Sequence, residues 1–202
     1  MARRQTNGNH DAKRVEIAEA ASQVFLRLGL ERTSLADIAR EMGYTTGVLR
    51  HYFADKEELL LFAKNLLFDR LFQHAKNAAD RVDDIEKLHA IVIDLLPSGV
   101  ASINRYRLLA MFNGSAIGDP RLMKQQGKRN LRNAQLLQGI IETLQKKGLL
   151  KKDLDARIES ATLHALIDGL ADQVIMRPNA WSREELIVVV NRHLEALTRS
   201  TR

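Results

Sequence analysis

The sequence contains no cysteine, the residue on which disulfide bonds and thiolate metal ligands depend. A disulfide framework, a thiolate metal site and thiol redox chemistry are therefore excluded. No apolar run approaches the ~20 residues that a membrane-spanning helix needs. The opening residues Met-Ala-Arg-Arg-Gln-Thr-Asn-Gly lack the apolar core of a secretory signal peptide, so we expect a cytoplasmic protein without a membrane partner.

Motifs that mark common enzymes are also missing. The chain has no G-x-S-x-G, G-x-G-x-x-G or H-E-x-x-H, and Gly127-Lys128 is followed by Arg129 rather than by the Ser or Thr of a phosphate loop. We therefore predict no catalytic residue and no cofactor. No metal site is predicted either, because the six histidines are scattered and lack the spacing of metal ligands. They stand at positions 10, 51, 74, 89, 164 and 193.

Basic residues outnumber acidic ones over the whole chain. The net charge of the 202 residues is +6 and the pI is about 9.7, a balance that suits a polyanionic partner. The first 56 residues, however, hold nine Lys or Arg against seven Asp or Glu. Charge alone therefore does not identify nucleic acid as the partner.

Helix signals run through the chain, and alternation of the β type is absent. Apolar residues recur at three- and four-residue spacing, Gly29 and Gly148 follow such runs, and Asp119-Pro120 has the form of a helix start. The pattern predicts an all-α fold of about nine helices. One shorter helix, Ile103–Phe112, is expected to stop at Asn113-Gly114.

Changes in polarity predict three parts of the chain. The stretch through His10 is polar and lacks helical periodicity, so we expect residues 1–11 to form a flexible basic arm, either a DNA-contacting arm or a solubilising end. Residues 12–56 would form a first domain and residues 57–202 a second. A long helix that begins after Asp55 would join them.

Two short helices joined at a glycine are predicted between residues 34 and 56. Ser34 can cap the first of them, and Asp37 three residues later completes a capping box. Gly43 can end this helix by taking the left-handed conformation. The segment therefore has the form of a helical hairpin.

The second helix of this pair is polar on one side. Thr45 can cap it, and Leu49 and Phe53 would point into the core. A helix that enters a major groove needs small or hydrogen-bonding side chains on its outward face, because such groups read base edges. The outward residues have this character: Thr46, Gly47, Arg50 and His51.

These residues resemble the helix-turn-helix of the TetR family of bacterial transcriptional regulators. The resemblance covers roughly residues 12–60 and includes Thr-Ser, Ala-Asp-Ile-Ala, the glycine turn, Gly-Val-Leu-Arg-His-Tyr-Phe and Asp-Lys-Glu-Glu-Leu-Leu. It implies double-stranded DNA as the partner and a palindromic operator bound by a homodimer. The alternative is a purely structural hairpin, since caps, a turn glycine and packed aromatic rings occur in many helical proteins.

The resemblance implies a role for each residue of the interface. Arg50 is expected to contact a guanine, because it is the permanently charged residue of the face and Thr46 stands where many family members carry a longer side chain. The residues expected nearest the bases are Tyr44, Thr45, Thr46, Arg50 and His51, and Gly47 is expected on the same DNA-binding face. The residues expected to hold phosphates are Thr33, Ser34, Tyr52 and Lys56.

Apolar stripes on the last two helices favour a homodimer in the form of a four-helix bundle, as the resemblance also implies. The alternative is that the same stripes form intrachain core. The residues expected at the dimer interface are Leu166, Ile167, Leu170, Val174, Ile175, Ile187, Val190, Leu194 and Leu197.

The second domain resembles, more weakly, effector domains of regulators related to choline-responsive repressors, chiefly in Ile-Asp-Gly-Leu-Ala and around Trp181. A small-molecule effector is expected there, but the similarity does not name it. His164 and Asp168 share a helix face and could offer a polar handle to a ligand or satisfy each other. The candidate ligand residues are His89, Arg105, Phe112, Asn113, His164 and Asp168.

The resemblance implies a transcriptional regulator, and specifically a repressor that a small molecule releases from its operator. The effector would shift the helix that begins at Lys56 and so change the separation of the two reading helices. The alternative is an architectural protein that coats DNA without an effector, which steep salt dependence with flat sequence dependence would reveal.

Overall fold

A computed structural model describes the backbone of residues 2–198 and the side chains of residues 9–198. Within that range the chain forms nine helices, so the expectation of an all-α fold of about nine helices is confirmed. No helix in the described range is long and apolar enough to cross a membrane. The helices are α1 (Ala2–Leu28), α2 (Leu35–Glu41), α3 (Thr46–Tyr52), α4 (Lys56–Ala79), α5 (Ile85–Leu95), α6 (Val100–Ala116), α7 (Pro120–Lys146), α8 (Ala156–Met176) and α9 (Arg183–Leu197).

Helix ends lie at the caps that the sequence contains. Ser34 Oγ accepts from the backbone N–H of Asp37 at 3.2 Å, and the Asp37 carboxylate accepts from the Ser34 N–H at 2.9 Å, so the predicted capping box is confirmed. Gly43 has a φ of +68°, the left-handed conformation that glycine adopts without a Cβ clash. α7 begins at Pro120 behind an Asp119 cap, as predicted.

α1 begins much earlier than the sequence predicts. It covers Ala2–Leu28, so the backbone of residues 2–11 is helical. This corrects the expectation of a flexible basic arm over residues 1–11, of which Met1 lies outside the described range. The stretch contains no proline, and lengthening an existing helix is far less costly than starting one. A lack of apolar periodicity therefore does not end the helix.

α6 runs past the point where the sequence predicts a stop. Asn113-Gly114 lies inside the helix, which continues to Ala116 and is followed by Gly118 with a φ of +96°. A glycine within a helix costs only about 1 kcal/mol relative to alanine. Phe112 and Ala116, on either side of it, are 0% and 2% exposed, and burying them favours continuation of the helix.

The chain divides into two compact units, Met1–Leu71 and Phe72–Arg202. The division falls within α4, whereas the sequence analysis places it after residue 56, at the start of that helix. Leu59 and Ala63 lie in the first part of α4 and are 0% and 2% exposed. These buried apolar side chains explain why the first unit extends into α4.

The core of the second unit contains most of the residues that the sequence analysis assigns to a dimer interface. An apolar stripe at helical spacing marks a buried face but does not say which molecule covers it, and here the chain itself covers it. Leu166, Ile175 and Ile187 are half-buried. The six residues that the core buries, all at most 7% exposed, are Ile167, Leu170, Val174, Val190, Leu194 and Leu197. Their assignment to a dimer interface is therefore corrected.

Candidate nucleic-acid interface

α3 is a seven-residue helix that is anchored on one side only. Thr45 caps it, with Oγ1 accepting from the backbone N–H of Val48 at 3.4 Å. Leu49 and Phe53, four residues apart, are 0% and 1% exposed, as the sequence predicts. Because this side is buried in the first unit, the opposite side of α3 faces outward.

The outward side of α3 carries small and hydrogen-bonding groups. Gly47, Arg50 and His51 are exposed, and Thr46 is half-buried. Arg50 has the five N–H donors needed for a bidentate contact with a guanine edge, and Gly47 leaves room for close approach. Gly47, Arg50 and His51 therefore face outward as expected, whereas contact of this face with DNA stays a prediction.

Val48 is an exposed apolar residue that the sequence analysis does not select. It is 39% exposed on the reading helix. Its exposure could have been predicted from helical spacing, because Val48 does not lie on the buried stripe formed by Leu49 and Phe53. An apolar group among hydrogen-bonding groups can contact the methyl group of thymine.

Two of the residues expected at phosphates already use their hydroxyl groups within the chain. Thr33 is 2% exposed, and its Oγ1 donates to the Gly29 carbonyl at 2.7 Å. Its side chain is therefore not available to a phosphate, and this part of the expectation is corrected. Ser34 is exposed, but its Oγ lies 2.6 Å from Asp37 Oδ2 within the capping box.

Lys56 and Tyr52 are better placed at the surface. Lys56 begins α4, and its Nζ donates to the Glu31 carbonyl at 3.1 Å, an exposed contact that a phosphate can replace. Tyr52 ends α3 and is half-buried. Such a side chain can pack its ring and still present its hydroxyl at the rim.

α1 contacts residues at both ends of α3, a feature that the sequence analysis does not predict. Lys13 Nζ lies 2.5 Å from the Tyr44 hydroxyl and 4.7 Å from the centre of its ring. The His10 ring centre lies 5.0 Å from that of Tyr52 and 5.9 Å from that of His51. The signal available in the sequence was the three-residue spacing that puts positions 10 and 13 on one face of a helix.

Arg14, beside Lys13 on α1, stabilises the base of the interface. Its guanidinium carbon lies 4.5 Å from the ring centre of Phe53 and 4.7 Å from that of Phe62. Its Nη2 also pairs with Glu58 Oε1 at 2.6 Å. Phe53 follows the last residue of α3, so Arg14 holds the C-terminal end of the reading helix against α4.

Hydrogen bonds shift the pKa values of two groups at this surface. The Ser34 hydroxyl and backbone N–H hold the pKa of Asp37 below its ordinary value. Hydrogen bonds to Glu16 and then to Tyr44 raise the pKa of Lys13. Both groups therefore stay charged through the neutral range, Asp37 as a cap and Lys13 as a cation against a phenol.

The residues considered for a ligand lie in the second unit, in environments that differ. Phe112 is fully buried while its neighbour Asn113 is exposed, and His89 on α5 is half-buried. Phe112 is therefore part of the apolar packing. Among the described residues no group of three or more His, Asp or Glu is arranged to hold a metal ion.

The other three candidates are His164, Asp168 and Arg105, and the last two act electrostatically on the phenol of Tyr106. His164 Nε2 lies 3.2 Å from Asp168 Oδ2, and this hydrogen bond raises the pKa of His164. Burial raises the pKa of Tyr106 to about 12, with Arg105 acting against the rise and Asp168 adding to it. The Tyr106 hydroxyl donates to a backbone carbonyl, that of residue 95, at 2.7 Å. Arg105 and Asp168 thus act on the same side chain, which the sequence analysis does not select.

Comparison with known proteins places this geometry in a family. The family profile described as bacterial regulatory proteins, tetR family, matches residues 17–62, and that of the BetI-type transcriptional repressor C-terminal domain matches residues 84–199. The HTH-type transcriptional regulator PksA of Bacillus subtilis (strain 168) is 31% identical over 198 residues, which are 94% of this chain and 91% of the relative. The chain belongs to the TetR family of bacterial transcriptional regulators.

Other relatives of this TetR-family regulator span similar lengths. BetI of Yersinia pestis (strain Pestoides F) is 24% identical over 191 residues, covering 93% of each chain. A transcriptional regulator from Saccharomonospora viridis, crystallised in complex with choline, has a TM-score of 0.84 at 23% identity and matches 94% of this chain and 99% of its own. A transcriptional regulator from Rhodococcus sp. Rha1 has a TM-score of 0.77 at 25% identity, and the match covers 91% of this chain and 95% of that one.

Membership confirms the main functional expectation. The protein is a DNA-binding transcriptional regulator of a family whose members are typically repressors with a ligand-binding C-terminal domain. The family consists of transcriptional regulators rather than enzymes.

Proposed function

We propose that this TetR-family regulator binds a palindromic operator as a homodimer, reads bases with α3 and is released by a small molecule bound in its second unit. The observation that carries the proposal is the one-sided burial of α3. Leu49 and Phe53 fix the helix, while Arg50 and His51 stay exposed on the other side. A rigid helix with an outward hydrogen-bonding face suits a major groove.

The base contacts we propose follow from exposure along α3. Arg50 contacts a guanine, and Val48 packs on a thymine methyl. Gly47 lets the backbone approach the base edges. Hydrogen bonds to further edges or to sugars come from Tyr44, Thr45, Thr46 and His51.

The phosphate contacts we propose are Ser34, Tyr52 and Lys56. Lys56 supplies a positive charge at the start of α4. Ser34 is exposed, and its hydroxyl would exchange its bond to the Asp37 carboxylate for one to a phosphate oxygen. Thr33 is left out because its hydroxyl is buried and donates to Gly29.

The dimer contact we propose uses the exposed face of α8 rather than its buried one. Ile158 and Met176 are 50% and 79% exposed, although both are large and apolar. Between them lie four small exposed residues at helical spacing, which allow a second helix to approach closely: Ala161, Thr162, Ala165 and Gly169. The exposed Asp168, Asp172 and Gln173 add polar groups to the same stretch. On α9, Val188 is also large, apolar and 53% exposed. A twofold contact here would present two reading helices to half-sites about 34–36 Å apart.

A neutral or anionic effector suits the second unit better than a cation such as choline, which the Saccharomonospora viridis regulator binds. Quaternary ammonium groups are held over aromatic ring faces. Here the Arg132 guanidinium carbon lies 3.7 Å from the ring centre of Phe72, and that of Arg105 lies 5.8 Å from the ring centre of Tyr106. These arginines cover ring faces and would repel another cation.

Selection of bound genomic fragments tests the proposal. Purified full-length protein is mixed with sheared DNA from its source organism at near-physiological salt, and the retained fragments are sequenced. We expect a shared palindromic motif with half-sites about one helical turn apart. Retained fragments without a common sequence, combined with a steep loss of binding in salt, would contradict it and favour an architectural protein.

A further inference from the structure

Lys13 and His10 contact the interface without belonging to the reading helix. They lie three residues apart on α1, so their side chains leave the same face of that helix. Lys13 contacts Tyr44, and His10 contacts Tyr52. Tyr44 precedes the cap of α3 and Tyr52 is its last residue. One face of α1 therefore reaches a tyrosine at each end of the reading helix.

The Lys13 ammonium is held by two partners. It donates to Glu16 at 2.9 Å and to the Tyr44 hydroxyl at 2.5 Å, and it lies 4.7 Å from the centre of the Tyr44 ring. A cation near both the ring and its hydroxyl restricts rotation of the phenol. The Lys13 side chain is only 25% exposed, so it is less available to DNA than Arg50.

His10 acts on the other tyrosine through ring packing. Its ring is tilted 35° to that of Tyr52, with centres 5.0 Å apart. His51 meets the same Tyr52 ring edge-on at 84° and 5.0 Å. Tyr52 thus lies between a histidine from α1 and a histidine from the reading face, and this limits its rotamers.

We propose that Lys13 and His10 are positioning residues of the DNA interface, which fix the Tyr44 and Tyr52 phenols in the orientation that the operator requires. This rests on the proposed function, because it assumes that both phenols face DNA. Holding them before DNA arrives lowers the entropic cost of ordering them in the complex. The two residues act through the tyrosines and not by contact with DNA.

Lys13 is tested with a duplex that the wild-type full-length protein enriches from a random-sequence library. We expect Lys13→Met to weaken binding about 3- to 10-fold, Lys13→Arg to retain most of the affinity, and the exposed α1 control Gln23→Ala to match wild type. In a Tyr44→Leu background, Lys13→Met should have no further effect. Melting curves of all variants verify that they are folded.

Salt dependence separates positioning from direct contact. A lysine that only positions Tyr44 leaves the slope of log K against log salt unchanged, whereas loss of a phosphate contact lowers its magnitude by about 0.9. A lowered slope for Lys13→Met, or an equal loss of affinity in the Tyr44→Leu background, would overturn the positioning role.

His10 is tested by a pair of variants on the same duplex. His10→Phe keeps a ring against Tyr52 and should bind like wild type, while His10→Ala should bind more weakly. Equal weakening of both would mean that a His10 nitrogen contacts DNA and would overturn the inference. If wild-type protein enriched no common sequence, the proposed function itself would fail. A motif bound equally well by Lys13→Met and by His10→Ala would overturn the positioning alone.

Discussion

Arg14 on α1 and Glu58 on α4 form an ion pair of 2.6 Å within the first unit. The same carboxylate accepts from the backbone N–H of Ala54 at 2.8 Å, in the turn that follows α3. The Arg14 guanidinium also packs on Phe53 and Phe62. One residue of α1 is thus connected to the end of the reading helix and to the start of α4.

Replacing Arg14 with alanine should destabilise the first unit. The loss of two ring contacts and of a partly exposed ion pair is expected to lower the free energy of unfolding by about 1–3 kcal/mol. Denaturant unfolding at fixed protein concentration measures it. Arg14→Lys keeps the charge but not the planar guanidinium, so its free energy of unfolding should lie between those of wild type and Arg14→Ala. An alanine variant as stable as wild type would show that these contacts contribute nothing.

Local signals made the hairpin predictable. Ser34, Asp37 and Gly43 act within a few residues along the chain, so cap, box and turn can be read without knowing the fold. The same is true of the burial of Leu49 and the exposure of Arg50, which follow from helical spacing.

Features that depend on distant parts of the chain were not predictable in this way. Contacts such as Lys13 with Tyr44 join positions 31 residues apart. The stripe through Val190 and Leu194 has the spacing of a dimer seam, but the chain's own core buries it. The start of α1 and the end of α6 were misplaced because helix propagation overrides weak local breakers.

The Asp37 cap should make stability depend on pH in the acid range. Its pKa is lower in the folded protein than the ordinary value of 3.8, so its contribution is fully present above that value and is lost as pH falls through the folded pKa. The stability difference between wild type and Asp37→Ala should therefore be larger at neutral pH than in strong acid. Unfolding measured across pH tests this, and a difference that grew on acidification would contradict it.

The two sides of α8 and α9 should respond differently to substitution. Ala165→Arg puts a bulky charge on the exposed face and should give a folded monomer by analytical ultracentrifugation. Leu194→Ala, in the buried core, should lower the free energy of unfolding by about 2–5 kcal/mol. An Ala165→Arg protein that sediments as wild-type dimer would remove that face from the interface.

Choline should not bind the second unit at millimolar concentration. Calorimetric titration of the full chain is expected to give no saturable heat, because arginines cover the Phe72 and Tyr106 rings. Arg132→Gln, which uncovers Phe72, is the matched variant and should bind choline more tightly than wild type. Saturable binding of choline to wild type would contradict this account of the effector.

The most direct test of the central claim compares Arg50→Ala with Lys56→Ala on the selected operator and on a scrambled duplex. We expect Arg50→Ala to lose about 1–3 kcal/mol of discrimination between the two duplexes. Lys56→Ala should weaken binding to both alike and lower the magnitude of the salt slope by about 0.9. Unchanged discrimination in Arg50→Ala would contradict the claim that the exposed face of α3 reads the bases.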